Sequence, residues 1–317
     1  MNTYKFLNLD PENFSNEAKK KLKEKCNYFE ENLDQESLYL EIPKYEAIYL
    51  RFSVKLDKNI LKRAKRLKFI LCNATGIDHI DSSYALSQGI KIISLKNQVA
   101  YLKNITASAE LTWALLLSLT RNITNAFEDV KKNNWNRNSF IGTQLKNKNI
   151  GIIGFGRNGK LVAKYASSFG MNVHFFDSKN FKANLKFKKH KTLKSILNIS
   201  DFVSIHLPLN ENTKNLFCKK VFKQMKKGSY LINTSRGEII LEQDLIDSLY
   251  SDDLRGAAVD VITDETNHKR NLLINYAKKN HNLLITPHIG GATNDSWAAT
   301  ENYVVDRFLE FLSLNDK

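Results

Sequence analysis

Four prolines and three cysteines among 317 residues leave little to punctuate or cross-link this chain. Cys26, Cys72 and Cys218 are odd in number and far apart, so they outline neither a disulfide framework nor a metal-ligand pattern, and they fit a reducing compartment. Long apolar runs are missing too. The longest, such as WALLLSL at 113–119, fall far short of the roughly 20 residues that cross a bilayer. The opening stretch MNTYKFLNLDPENF has no apolar core and no small-residue cleavage site, which argues against a secretory leader. Acidic residues number 33 against 48 basic ones, a formal charge of +15. Yet arginine is scarce, 10 against 38 lysines, and the lysine clusters are dispersed. Recognition of nucleic acid leans on the arginine fork, so the charge reads as a solvated lysine surface rather than a nucleic-acid site. No Pro-rich or Gly/Ser-rich linker and no internal repeat interrupt the chain. What is present is the balance of a folded chain, 42% apolar and 26% charged, which excludes disorder. A cytoplasmic globular protein with neither a membrane nor a nucleic-acid partner is expected.

The pattern of elements carries the domain organisation. Short apolar runs at 47–51, 69–72 and 91–95 alternate with DKNILKRAKRL and DSSYALSQG, which have the helical period. The second also has an Asp start and a Gly stop. Strand, helix, strand in that order points to a parallel sheet. Residues 105–133 form one long helical pattern, apolar over most of its surface, so one face should meet a core and another something else, such as a second subunit. A second alternation follows, with strands at 149–153, 173–176, 202–206, 230–233, 257–261 and 283–286. These runs are apolar on both sides, as strands covered by helices on both faces must be. The expected fold class is α/β, with a doubly wound parallel sheet of about six strands. The segment 294–314 closes the chain as a helix.

The first strand of that sheet runs into Gly154, Gly156 and Gly159, a G-x-G-x-x-G at a strand–helix junction. The first glycine permits a tight turn, the second lets a pyrophosphate approach the backbone, and the third lets helix and strand pack closely. The helix N-terminus then offers unpaired N–H groups to phosphate. The helix has its apolar face at Leu161, Val162, Tyr165, Ala166 and Phe169, and stops at Gly170. The next strand ends in Asp177, 23 residues after Gly154, where an acid holds the ribose hydroxyls and repels a 2′-phosphate. NAD(H) is therefore the expected cofactor, although Lys179 would tolerate some NADP(H). Later strand ends carry Arg236, Asp260 with Glu265 beyond it, and His288 between Pro287 and a glycine pair. Each residue alone suits a cap or a surface position. Together, at successive strand ends of a dinucleotide sheet, they suit hydride chemistry on a 2-hydroxy acid. A guanidinium pairs with the carboxylate and polarises the C2 oxygen. A histidine exchanges the proton, and a carboxylate beside it favours the imidazolium and orients the ring.

With those residues in hand, the chain resembles the D-isomer-specific 2-hydroxyacid dehydrogenases, of the phosphoglycerate dehydrogenase-like kind. The resemblance is carried by KNKNIGIIGFGRNGKLVAKYASSFGMNVHFFD, SDFVSIHLPLNENTKNLF, MKKGSYLINTSRGEIILEQDLIDSL, GAAVDVITDE and LLITPHIGGAT, with LKFILCNATGIDHIDSSYALSQGIKIISL nearer the N-terminus. It implies Arg236, Glu265 and His288 as catalytic residues. It implies cofactor contacts at Gly154, Gly156, Arg157, Asn158, Gly159, Asp177, His206, Thr234 and Asp260, the last on the nicotinamide carboxamide. Backbone N–H groups at Ala74, Thr75 and Gly76, together with Arg236, would hold the substrate. It also implies a Rossmann-type NAD-binding domain, 105–290, inserted into a smaller flavodoxin-like α/β substrate domain, 1–104 plus 291–317, and a homodimer built on the helix starting near Ile105. The expected substrate is a small D-2-hydroxy acid or 2-keto acid, such as 3-phosphoglycerate or glycerate/hydroxypyruvate. The alternative is a non-catalytic NAD(H) sensor on the same fold. Three departures stand out: a longer segment across Lys96–Ala109, Ala74 in place of a usual glycine, and Thr266 where proline commonly follows the glutamate, which would loosen the loop. If Asp177 selects the cofactor, Asp177→Ala weakens NADH binding and narrows the gap to NADPH. Fluorescence titration with both nucleotides checks this, and an unchanged ratio refutes it.

Overall fold

The computed structural model describes residues 4–179 and 186–315; the first three and last two residues of the chain, included in the expected N-terminal and C-terminal boundaries, lie outside them. The chain divides into two compact units, one of residues 1–105 with 292–317 and one of 106–291.

In the first unit, β1 (Lys5–Asn8), β2 (Asn27–Glu30), β3 (Ala47–Tyr49), β4 (Phe69–Cys72) and β5 (Lys91–Ser94) form one sheet in the order β2-β1-β3-β4-β5. Every pairing is parallel. Side chains alternate across the pleat, so Leu7, Ile48 and Ile70 enter one core cluster. Phe6, Ala47, Tyr49, Phe69 and Leu71 enter the other, where the C-terminal helix Asn294–Asn315 buries Val304, Val305 and Phe308. Helices on the first side begin at aspartate caps: Asp57 accepts from the N–H of Asn59 and Ile60, and Asp81 from that of Tyr84. A buried ion pair also secures the C-terminal helix. Glu301, with no exposed surface, accepts from Arg51 Nη2 at 2.6 Å, from the Ser15 N–H at 2.7 Å and from the Tyr49 hydroxyl at 3.3 Å. Burial raises the Glu301 pKa even against these donors. The part of the long segment that belongs to this unit, 96–105, leans on the same helix: Tyr101 donates its hydroxyl to the Ala299 carbonyl at 2.6 Å and packs on Tyr303, ring centroids 4.1 Å apart.

The second unit holds β6 (Asn149–Ile153), β7 (Asn172–Phe176), β8 (Lys188–Lys189), β9 (Phe202–Ile205), β10 (Ser229–Asn233), β11 (Leu254–Val259) and β12 (Leu283–Ile285). The order is β12-β11-β10-β9-β6-β7-β8, again all parallel. The chain starts in the middle, at β6, builds outward through β7 and β8, then crosses back to β9 and builds the other way. That reversal beside β6 is the topological switch point, where ligands of open α/β sheets collect. The helices Ala107–Thr120 and Arg157–Ser168 cover one face, burying Leu116, Val162 and Ala166 on Ile150 and Ile152. Residues from the helix Glu242–Tyr250, with Leu197 and Phe222, cover the other.

Three strands and one break go beyond what the sequence pattern predicts. β1 and β2 are only four residues each, and β2 is a half-exposed edge strand without an apolar stripe. β8 is two lysines paired on β7. The single helix expected over 105–133 is two, Ala107–Thr120 and Ile123–Lys131, separated by Asn122 in the left-handed region at φ 53°. The reason is a partner from further along the chain: the Thr120 carbonyl accepts from the Thr143 N–H at 2.9 Å instead of continuing the helical ladder. The second helix buries none of its residues, and Ile123, Phe127 and Val130 stand exposed along one side. Among the described residues, no helix is long and apolar enough to cross a membrane. Phe308 sits between Phe6 and Phe69, with centroids 5.6 and 5.1 Å away. Phe308→Ala should therefore cost about 3–5 kcal/mol, read as a lower urea midpoint for the first unit.

Candidate active site

The glycine loop is shaped by contacts that no side chain could share. Gly154 has φ +93°, and a Cβ there would strike the His206 carbonyl; a Cβ on Gly159 would strike the Gly154 carbonyl. Gly156, by contrast, faces open space. It caps the helix Arg157–Ser168 without a side chain of its own, so the first N–H groups of that helix have no capping partner from Gly156. Asn158, in the first turn, has a buried Oδ1 with no hydrogen-bond partner. Burial also lowers the pKa of Arg157, in the same turn. Asp177 is held at both oxygens, Oδ2 accepting from the Phe155 N–H at 2.7 Å and Oδ1 from the Lys179 N–H at 2.8 Å. The carboxylate is thereby placed at the rim of the loop with lone pairs remaining for hydroxyl donors. An open glycine, an orphaned amide oxygen, a desolvated cation and an oriented acid fit a dinucleotide.

His206, at the end of β9, receives or donates a 2.8 Å hydrogen bond between Nε2 and Ser204 Oγ. The residue as a whole is only half-buried, yet the protein around the ring pushes its pKa down to about 4. Thr234, just past β10, shares a 2.7 Å hydrogen bond with the hydroxyl of Thr112 on the helix Ala107–Thr120. Thr112, absent from the expected site, thus ties the strand end to the helix.

Arg236, Glu265 and His288 follow β10, β11 and β12, three neighbouring strands. Backbone hydrogen bonds lock their ends together, Asp260 N–H to the Asn233 carbonyl at 2.9 Å and His288 N–H to the Asp260 carbonyl at 2.8 Å. Arg236 donates from Nη1 to the Ser235 carbonyl, and Asn233 Nδ2 donates to the Arg236 carbonyl, so the turn carrying the guanidinium is fixed from both sides. Gly237, next in sequence, lies so tightly on the backbone of Ile262 and Thr263 that no Cβ fits. His288 takes φ 53°, a conformation histidine rarely adopts. Its ring Nδ1 lies 2.7 Å from Glu265 Oε2, and both side chains are partly exposed.

Asp260 explains how the strained histidine is held. Its buried carboxylate accepts from Thr286 Oγ1 at 2.6 Å, from the Ile289 N–H at 2.9 Å and from the Gly290 N–H at 2.8 Å. Burial raises its pKa, against the lowering effect of those donors. To the cofactor contact expected of Asp260, the structure adds its place as the anchor of the 286–290 loop. Thr266 donates to Asp264 Oδ1 at 3.0 Å, a tie within the loop that the absence of proline was expected to loosen. In the first unit, Ala74, Thr75 and Gly76 form the loop after β4, and the Ala74 carbonyl accepts from the Leu95 N–H at 3.1 Å. Ala74 is not among the residues with positive φ, so a side chain is tolerated there.

A doubly wound domain built around this loop is a dinucleotide-binding domain. Residues 113–290 match the family described as D-isomer specific 2-hydroxyacid dehydrogenase, NAD binding domain. The chain belongs to the D-isomer specific 2-hydroxyacid dehydrogenases, and the cofactor of this domain is NAD. It is 33% identical over 276 residues to D-3-phosphoglycerate dehydrogenase of Bacillus subtilis, covering 86% of this chain but 50% of that protein, so it spans about half that relative's length. It is 30% identical to hydroxypyruvate reductase of Thermotoga maritima, over 92% of this chain and 93% of that one. The solved NAD complex of NAD-dependent formate dehydrogenase from Staphylococcus aureus superposes with a TM-score of 0.85 at 27% identity, covering 97% and 95% of the two chains.

The depressed His206 gives a pH signature. A histidine with a folded pKa near 4 and an ordinary value of 6.5 contributes stability above pH 6.5 that is lost as pH falls through 4. The expected slope is about 1.4 kcal/mol per pH unit across that window. In urea titrations between pH 4 and 7, His206→Gln should remove this slope, and an unchanged slope would contradict the assignment.

Proposed function

We propose that this protein is an NAD-dependent dehydrogenase of small D-2-hydroxy acids, interconverting them with 2-keto acids. The observation that carries the reading is the 2.7 Å pair of His288 and Glu265 at the ends of neighbouring strands of an NAD-binding sheet, with Arg236 on the next strand end. NAD(H) supplies the hydride chemistry at C2. Arg236 pairs with the substrate carboxylate and polarises the C2 oxygen. With Nδ1 committed to Glu265, His288 carries the exchanged proton on Nε2, giving it to that oxygen in reduction and taking it in oxidation. Glu265 orients the ring. The backbone N–H groups of Ala74, Thr75 and Gly76 are assigned to the substrate carboxylate from family membership. Gly154, Gly156, Arg157, Asn158, Gly159, Asp177, His206, Thr234 and Asp260 are assigned to the cofactor, and the two hydrogen bonds that aim Asp177 support NAD over NADP.

The relatives named for D-3-phosphoglycerate and hydroxypyruvate support a three-carbon substrate of that kind. The formed His–Glu pair supports catalysis over a sensor. Exposed Ile123, Phe127 and Val130, with Trp135 89% exposed, support a homodimer through this region. The three free thiols support a cytoplasmic location. NADH oxidation by purified protein against hydroxypyruvate, phosphohydroxypyruvate, glyoxylate, pyruvate and 2-oxoglutarate tests the reading. Turnover on one of them is expected. His288→Ala should lower it about 10²–10⁴-fold while NADH still binds; full rate in that variant would remove His288 from the mechanism.

A further inference from the structure

Glu265 reaches His288 from an irregular loop, and something must hold that loop in register. Its backbone enters the left-handed region at Asp264, φ 53°, and continues through a kinked 3-10 turn, Glu265–Arg270. The segment's internal hydrogen bonds, Asn267 N–H to the Asp264 carbonyl and Asn271 N–H to the His268 carbonyl, both at 2.9 Å, join residues of the loop to one another. A carboxylate on another element holds the loop from outside. Glu242, the first residue of the helix Glu242–Tyr250, is buried beneath the loop. Its Oε1 accepts from the Thr263 N–H at 2.7 Å, two residues before Glu265. Both of its oxygens accept from Asn271 Nδ2 at 2.9 Å, on the far side of the loop. Asn271 is itself buried, and its Oδ1 caps the helix Leu272–Ala277 by accepting from Leu273 and Ile274, which settles its amide orientation. The same Thr263 backbone is the surface on which Gly237, the neighbour of Arg236, is pressed.

We propose that Glu242 and Asn271 are positioning residues that clamp both ends of the 263–271 loop and thereby set Glu265 on Nδ1 of His288. The proposal rests on the dehydrogenase reading for its consequence in turnover, but not for its geometry. Hydrogen bonds to a buried carboxylate are charge-assisted, and losing one leaves a buried donor unsatisfied. Glu242→Gln turns an amide N–H toward the Asn271 amide, donor against donor. Asn271→Asp keeps the helix cap but sets carboxylate against carboxylate. The double variant Glu242→Gln/Asn271→Asp exchanges the two groups. Its amide at position 242 accepts from the Thr263 N–H and donates to the carboxylate at position 271, so the clamp is rebuilt with reversed polarity.

The test reads the clamp in two ways. In protein carrying 15N-histidine, the His288 Nδ1 proton bonded to Glu265 gives a downfield resonance, assigned by its absence from His288→Ala. Each single variant should shift or lose that resonance and lower kcat on the order of tenfold or more, since small misplacements of catalytic groups are costly, with NADH affinity unchanged. The exchanged double variant should recover both. Folded single variants that keep the resonance and kcat would overturn the proposal, as would a folded double variant no better than the singles. Where a single variant fails to fold, the double variant decides by the same two readouts. If the unsubstituted protein reduces no 2-keto acid, the functional reading fails, while the resonance still decides the role of the clamp.

Discussion

In a sheet whose strands all run the same way, the carboxyl ends fall along one edge, and each connection must return across a face before the next strand starts. Both sheets of this protein obey that constraint without exception among the described residues. It gathers the glycine loop after β6, His206 after β9, Thr234 and Arg236 after β10, Asp260 and Glu265 after β11 and His288 after β12 onto one rim. Residues spread over more than a hundred positions of chain become neighbours because their strands are neighbours. The chemistry then depends on how finely each loop is held on that rim.

Acids that accept backbone N–H groups do much of this holding. Asp177 is fixed by two backbone N–H groups, Asp260 gathers the 286–290 loop, and Glu242 closes on the loop that presents Glu265. At the buried Asp260 and Glu242 the carboxylate gives up water and takes N–H or O–H donors in return, which is tolerable only when the donors are well aligned. The unusual φ of His288 persists for the same reason: Asp260 determines the backbone on both sides of it.

Much of this architecture is legible in the sequence. The apolar runs at 69–72 and 149–153 are strands at those positions, since a strand covered on both faces has no polar side to blur its pattern. Gly154 and Gly159 are readable because only glycine meets their steric demands, and Asp177 because an acid suits a ribose. β1, β2 and β8 are not. The half-exposed edge strand β2 has no apolar stripe, and β8 consists of two lysines that pair on the open edge of β7. The break at Asn122 also lies beyond sequence reading, because it is made by Thr143, twenty-one residues on, bonding the Thr120 carbonyl.

By itself the sequence determined which residue types stand at strand ends, the order in which strands and helices alternate, and the presence of a dinucleotide loop with its ribose acid. These are local matters of period, turn chemistry and spacing. The tertiary structure alone decided that Glu265 meets Nδ1 of His288, that Thr112 binds Thr234, that Asp260 anchors the histidine loop, and that Glu242 and Asn271 close around the loop between them. Those contacts join residues more than twenty positions apart, and no periodicity records them. They exist because a parallel sheet sets its strand ends side by side and because a buried polar atom must find its partner wherever the fold has placed one.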